Sequence, residues 1–379
     1  MATFNEEDLL HTMIGVARRA EDSPAIADFG DYLVLLEGAD AGKLVEIGEE
    51  ALTIGRDARQ TIVFAGDSEV SRLHARVLRR DKDIVVEDAG STNGTFVDSQ
   101  RLTGPTVLRE GAVVRIGRQL FKYERRSRRD VERTTELNRD LLKASNYVLS
   151  LLPRPIEAGP VRVTWKFVPS AQLGGDAFGY YWPTPETFVF YLVDVSGHGV
   201  GSAMHSVAVM NILRQRALPN VDFEDPSQVL SSLNDRFQMG AYNGMYFTMW
   251  YGVYHTRTRT LVHGSGGHHP AYMVSATREP AQPVGDSNII VGALPQQPYD
   301  TRTTLVPPGS SLYLFSDGVY EVATKGGDVQ SLADLVPLLS RPRQEGITEP
   351  DRVYRAINEI AATPGELDDD FSLMVLTFE

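Results

Sequence analysis

The chain contains no cysteine. That excludes disulfides, thiolate zinc sites and every ester hydrolase that works through a cysteine nucleophile. It has no apolar run of the roughly 20 residues needed to cross a bilayer. Its first residues include Glu6, Glu7 and Asp8, where a secretory signal would be basic and then apolar. A cytoplasmic setting with no membrane partner is the expectation. Basic residues are in deficit, with 37 Lys and Arg against 50 Asp and Glu for a net charge of -13. This argues against nucleic acid as a partner, because polyphosphates attract basic surfaces. It suits a protein that gathers carboxylates around cations. At 379 residues, 42% of them hydrophobic, the chain is long enough for two or three domains that each bury a core.

Residues 1–28 hold a short amphipathic pattern, with Leu9, Leu10, Met13, Ile14, Val16 and Ala17 after an acidic start, and it breaks near Ser23-Pro24. A helical segment is expected there. From 29 to 125 the sequence becomes a series of short alternating segments, among them DYLVLLEG, LTIGR, HARVLRR, DIVVED and AVVRIG, divided by Gly, Asp and Asn turns. Strands so short and regularly spaced predict an all-β sandwich. Its loops carry the chemistry. Gly55-Arg56, Ser71-Arg72-Leu73-His74 and Ser91-Thr92-Asn93-Gly94 each adjoin a strand, so all three can gather at one end of the fold. Arginine offers a planar fork for phosphate oxygens, and hydroxyl and amide groups add neutral donors. Taken singly, an Arg after Gly is an ordinary solvated turn residue, and Asn-Gly an ordinary hairpin turn.

In order and spacing, GR, SxxH and NG resemble the forkhead-associated (FHA) domain. The resemblance implies a phosphothreonine-peptide site formed by Arg56, Ser71, Arg72, Thr92 and Asn93, with phosphothreonine-containing proteins as partners. His74 is expected to hold the loops together. Residues 126–153 lack Gly and Pro until Pro153 and read as a linker helix. Its stripe of Leu137, Leu141, Leu142, Val148, Leu149 and Leu152 leaves two alternatives, a coiled-coil homodimer or packing on its own domain. Arg125, Arg126, Arg128 and Arg129 read as a solvated face.

Over 154–379, strands recur with helices between them, and acidic residues stand at strand ends four times. Asp176 follows Gly174-Gly175 and precedes AFGYYW. Asp194 ends the apolar run from Thr187, before Gly197, Gly199, Gly201 and the helical SAMHSVAVMNIL, a candidate control element. Asp317 lies in SLYLFSDGVYE, and Asp368-Asp369-Asp370 precede FSLMVLTF. One such Asp would ordinarily cap the next turn or helix. Four, far apart in sequence, are what a cluster assembled across adjacent strands requires, and oxygen-only ligands suit hard cations.

The segments GGDAFGYYW, LVDVSGHGVGSAM, GSGGHHPAYMV, VGALP, LYLFSDGVYEV and DDFSLMVL resemble, in order and approximate spacing, the SpoIIE-like branch of the metal-dependent protein phosphatases (PPM, type 2C). The likeness runs from about residue 155 to the end. It implies an α+β domain built as an α/β/β/α sandwich, with protein serine/threonine phosphatase activity through a water activated by two Mn²⁺ or Mg²⁺ ions. It also implies phosphoserine or phosphothreonine protein substrates such as anti-sigma-factor antagonists. Carried over by position, Asp194 bridges the ions, Val195 offers its backbone carbonyl, and Asp176, Asp317 and Asp369 complete the set. Asp370 stands where the family has a second Asp or Asn. Eukaryotic type 2C enzymes place a histidine directly after Asp-Gly, whereas here Val195 and Ser196 intervene and His198 falls later. His198 is therefore read as a turn or helix-capping residue, with acid catalysis as the alternative, and His268 and His269 as satisfied loop histidines, with lining the approach to the site as the alternative. The alternative is a catalytically silent phosphothreonine-binding scaffold.

Overall fold

The computed structural model describes residues 28–37, 41–286, 288–365 and 367–379. The helical segment expected at 1–28 lies outside the described residues except for Asp28. The chain divides into two units at Asn138 and Arg139, a division that falls inside one continuous helix, Arg128–Leu151.

The first unit is an all-β sandwich. One sheet orders its strands Leu44–Glu46, Phe29–Leu35, Gln119–Ser127, Val113–Ile116, Thr95–Val97 and Gln100–Arg101. The other runs Ile62–Val63, Leu52–Gly55, Ala75–Arg80, Asp83–Asp88 and Thr106–Val107. The period of two puts Leu33, Leu35, Ile54, Val77, Val86, Val114 and Phe121 into one core. Arg125 and Arg126 lie in the long strand Gln119–Ser127, opposite Asp31 and Gly30, and the helix begins only at Arg128. The ladder with Phe29–Leu35 carries these two arginines past the point where their composition looks helical.

The second unit has two five-stranded sheets. One orders Ala177–Thr184, Thr187–Val195, Phe247–His255, Thr260–Gly266 and Thr301–Leu305; the other orders Val161–Val168, Phe371–Phe378, Ser311–Phe315, Ala271–Val274 and Gln282–Val284. Every pairing is antiparallel. The strand Thr187–Val195 explains the layering. Phe188, Phe190 and Leu192 enter the core between the sheets with Phe178, Trp250, Leu312 and Met374. Val189, Tyr191 and Val193, on its other face, pack with Val209, Leu213 and Leu230 of the helices Val200–Gln215 and Pro226–Arg236. The second sheet buries Phe315, Leu373 and Val375 against Leu335, Leu339, Val353 and Ile357 of the helices Leu332–Leu339 and Glu349–Ile360. Three apolar layers between four layers of elements make the α/β/β/α sandwich. Among the described residues no helix is long and apolar enough to cross a membrane.

Candidate functional site

The acidic points meet where strands of the two sheets end. Asp194 is the penultimate residue of Thr187–Val195, and Asp176 immediately precedes Ala177–Thr184. Ala177 pairs with Val193, so one step further along that register sets Asp176 beside Asp194. Asp317 opens a 3₁₀ turn just beyond Ser311–Phe315, and Asp369 and Asp370 lead into Phe371–Phe378.

The electrostatics show how closely these groups feel one another. Asp176 is 4% exposed, and its Oδ2 has no hydrogen-bond partner. Burial, and then the charges of Asp194 and Asp370, push its pKa well above the usual carboxylate range, against the opposing hydroxyls of Ser316 and Ser372. Asp194 is pushed up to about 8, first by burial and then by Asp317, Asp369 and Asp370. Burial and the charge of Glu321 raise Asp317. Burial and Asp317 raise Asp369, with His198 near enough to pull it back. Among the described residues no three His, Asp or Glu side chains stand close enough together to hold a metal ion as they are placed; the acidic groups form a looser cluster. Its donors are all oxygen, one is buried and unpaired, and Asp176, Asp194, Asp317 and Asp369 each resist ionisation. A hard divalent cation fits that set, because its charge would favour the ionised forms that the neighbours now oppose.

Asp370 differs from its neighbours. It is 2% exposed, and both its oxygens accept hydrogen bonds. Oδ1 receives the Ser170 N–H at 2.8 Å and the Ser170 hydroxyl at 3.0 Å, while Oδ2 receives the N–H groups of Gly175 at 2.6 Å and Asp176 at 3.3 Å. A Cβ on Gly174 would lie 2.6 Å from Asp370 Oδ2, so glycine is required for the loop to close on the carboxylate. The Val195 carbonyl also faces this loop, 3.0 Å from where a Cβ on Gly175 would stand. Beyond it, Ser196 donates its N–H to the Tyr246 carbonyl at 3.0 Å and accepts the Tyr246 N–H on its hydroxyl at 3.2 Å. Ser202, in the first turn of the following helix, donates to the Ser196 carbonyl at 3.2 Å.

In the first unit the three motif loops are joined. Gly55 lets the backbones touch, since a Cβ there would stand 2.2 Å from the Arg72 carbonyl. The Arg56 N–H donates to the Ser71 carbonyl at 3.0 Å, and the Thr92 N–H to the Ser71 hydroxyl at 3.1 Å. Asn93 donates its amide to the Glu69 carbonyl at 2.8 Å. His74 is fully buried, accepting the Ser71 N–H on Nδ1 at 3.1 Å and meeting the Gly94 carbonyl with Nε2 at 3.2 Å. The side chains of Arg56 and Arg72 are exposed beside these loops.

Residues 184–379, more than half of the chain, match the family described as Stage II sporulation protein E (SpoIIE). The chain belongs to the SpoIIE family. Residues 52–117 match the FHA domain. Among curated proteins the chain is 26% identical over 212 residues to the phosphoserine phosphatase RsbU of Bacillus subtilis, which covers 55% of this chain and 61% of that protein. It is 40% identical over 90 residues to the FHA domain-containing protein FhaB of Mycolicibacterium smegmatis, covering 24% of this chain and 57% of that one. The chain thus spans about six tenths of the length of these relatives. Among solved structures, the SiaA-PP2C domain of Pseudomonas aeruginosa aligns over 65% of this chain and 98% of its own, at 18% identity and a TM-score of 0.55. The PP2C phosphatase domain and regulatory fragment of SpoIIE from Bacillus subtilis covers 58% of this chain and 64% of its own, at 13% identity and 0.50. At these identities the likeness concerns the fold.

The histidines of the SpoIIE unit separate by environment. His198 is exposed in the loop after Val195. His268 and His269 are largely buried, each with Nδ1 2.9 Å from the carbonyl of the next residue and Nε2 without a partner. Burial lowers both pKa values and keeps the rings neutral.

Proposed function

We propose that the SpoIIE unit is a metal-dependent protein serine/threonine phosphatase and that the FHA unit brings it to phosphothreonine-bearing proteins. The observation that carries this reading is the buried, unpaired Oδ2 of Asp176 beside Asp194, whose pKa stands at about 8. An acidic cluster that resists its own ionisation is suited to a cationic cofactor. Asp176, Asp194, the Val195 carbonyl, Asp317 and Asp369 would hold two Mn²⁺ or Mg²⁺ ions. Such ions supply an activated water and neutralise charge on the phosphoryl group and leaving oxygen. Asp370, a ligand candidate by position, is assigned an anchoring role because its oxygens already accept four hydrogen bonds. The chain's own part is to place carboxylates from four segments at one point and to hold the Ser170–Asp176 loop and the Val195–Gly199 loop around them. No side chain in the cluster is needed as a nucleophile.

The name of the RsbU relative, a phosphoserine phosphatase, supports phosphoserine substrates; phosphothreonine proteins, anti-sigma-factor antagonists among them, and a cytoplasmic setting are proposed on the family resemblance. For the FHA unit, Arg56, Ser71, Arg72, Thr92 and Asn93 are proposed as the phosphothreonine contacts. The proposed boundaries are 29–125 for this unit, 126–153 for the linker helix and 154–379 for the phosphatase. Leu151 and Leu152 at the end of the stripe pack on the core of the SpoIIE unit, whereas Leu137, Leu142, Tyr147 and Leu149 are exposed, which favours the homodimer for the earlier part of the helix. The test is Mn²⁺-dependent hydrolysis of a phosphoserine peptide by the wild type and by Asp194→Asn. Equal rates would end the assignment, and a wild type that binds its partners but never turns over at saturating Mn²⁺ would make the protein a scaffold.

A further inference from the structure

A cavity of about 400 Å³ opens beside the edge strand Ala177–Thr184, apart from the acidic cluster. Its walls come from Ser150–Arg154, the stretch leading into the SpoIIE unit, and from Met210 and Arg214 of the helix Val200–Gln215; Phe178, Gly179 and Tyr191 complete it. Tyr191 is 2% exposed. Burial, and then the neighbouring Tyr181, raise its pKa, with Arg214 close enough to oppose the shift. A Cβ on Gly179 would stand 2.4 Å from the Tyr191 Oη, so the glycine leaves room for the phenol's polar end at the cavity wall. The hydroxyl is not among the fully buried polar atoms that lack a partner, so it keeps solvent contact at the cavity wall, where a ligand oxygen can accept its hydrogen bond. The hydroxyls of Ser150, Tyr180 and Tyr181, which also line it, are engaged with Tyr147, Arg154 and Tyr251, and the charged groups at this cavity are the exposed guanidinium groups of Arg154 and Arg214, two cationic forks in a chain of net charge -13.

We propose that this cavity binds a small organic anion, a carboxylate or phosphate on an apolar body. Arg154 and Arg214 hold the anion as forks suited to planar oxygen pairs, the Tyr191 hydroxyl donates a hydrogen bond to it, and Leu151, Phe178 and Met210 enclose the apolar part. The volume lies within the range of ligand sites, roughly 300–1,000 Å³. The proposal is independent of the phosphatase reading, although Tyr191 shares its strand with Asp194 and Arg214 stands on the helix that follows.

The test uses the full chain with 1-naphthoate as the probe, titrated calorimetrically beside the neutral 1-naphthylmethanol. The anion should bind saturably at one site, at least about tenfold tighter than the alcohol. Arg214→Ala should weaken it about tenfold or more, and Tyr191→Phe several-fold without lowering the melting temperature, because the hydroxyl removed has no partner to lose among the described residues. Asp194→Asn and Arg56→Ala should bind as the wild type does, which separates this cavity from the acidic cluster and the FHA loops. Failure of 1-naphthoate to bind, equal affinity for the alcohol, indifference to Arg214→Ala, or loss of binding in Asp194→Asn or Arg56→Ala would each overturn the proposal.

Discussion

Replacing Asp370 by alanine tests whether this carboxylate anchors the site or ligates a metal. The change strands the N–H groups of Ser170, Gly175 and Asp176 and the Ser170 hydroxyl, whose acceptors lie 2.6–3.3 Å away on Asp370. A buried donor left unpaired costs about 1–3 kcal/mol, so the three N–H groups together represent about 3–9 kcal/mol. Two effects reduce that sum. Removing a charge relieves Asp176 and Asp194, whose pKa values Asp370 helps to raise, and Ser170, which is not fully buried, can turn to water. A loss of about 3 kcal/mol remains, a large share of the ~5–15 kcal/mol that typically holds a domain. The chain provides its own reporter, since all three tryptophans, Trp165, Trp182 and Trp250, lie in this unit. Urea unfolding followed by tryptophan fluorescence therefore reads the SpoIIE unit without interference from the FHA unit. Asp370→Asn should lose nearly as much, because an amide NH₂ placed at Oδ2 would face the Gly175 N–H donor to donor. If both variants unfold like the wild type while calorimetric Mn²⁺ affinity collapses, Asp370 is a ligand and the anchoring argument is wrong.

Four further outcomes follow from the same geometry. Mn²⁺ at a hundredfold its dissociation constant should stabilise the wild type by about 2.7 kcal/mol and Asp194→Asn hardly at all; matching thermal shifts in the two would remove Asp194 from the ligand set. Arg56→Ala should weaken phosphothreonine-peptide binding by about 1.5–3 kcal/mol with hydrolysis of p-nitrophenyl phosphate unchanged, and an unaltered calorimetric affinity would exclude Arg56 from the pocket. Burial alone would raise the Glu349 pKa, yet Arg352, Tyr313 and Arg278 outweigh it and hold the carboxyl below its usual value of 4.5. Stability from this group is therefore present above that value and lost as pH falls through the lower folded pKa, and Glu349→Gln should cost about 3–5 kcal/mol near neutrality while flattening the acid limb; an unchanged acid limb would contradict this. Finally, the double variant Leu137→Glu and Leu142→Glu should convert a dimer to a monomer in sedimentation, and a wild type already monomeric at micromolar concentration would refute the helix as an interface.

What could be read from the sequence was whatever repeats locally. The two-residue alternation of the FHA strands, the two-faced apolar run of Thr187–Val195 and the helix after its glycines are local patterns, and the structure builds each of them. The strand end at Arg125 and Arg126 was hidden because their composition looks helical, while their conformation is set by pairing with Asp31 and Gly30 nearly a hundred residues earlier. The hydroxyl of Tyr191 at the cavity wall was hidden for a related reason: in an apolar run a tyrosine reads as one more aromatic, and only the neighbouring Gly179 shows that its polar end needs room.

Asp369 and Asp370 carry the point furthest. They are adjacent and chemically identical, so sequence pattern can rank them only by family position. The fold separates them. Asp369 remains exposed, feels the charge of Asp317 and, among the described residues, takes only the N–H of Asp370, at 2.8 Å. Asp370 turns inward to a loop some two hundred residues distant and spends its oxygens on Ser170, Gly175 and Asp176. A carboxylate with accepting capacity left can take a cation, whereas one that already accepts several hydrogen bonds fixes the geometry in which its neighbours do so. The required glycines at 174 and 175 were the visible trace of that second role, because a loop that must close on a carboxylate and on the Val195 carbonyl has no room for side chains.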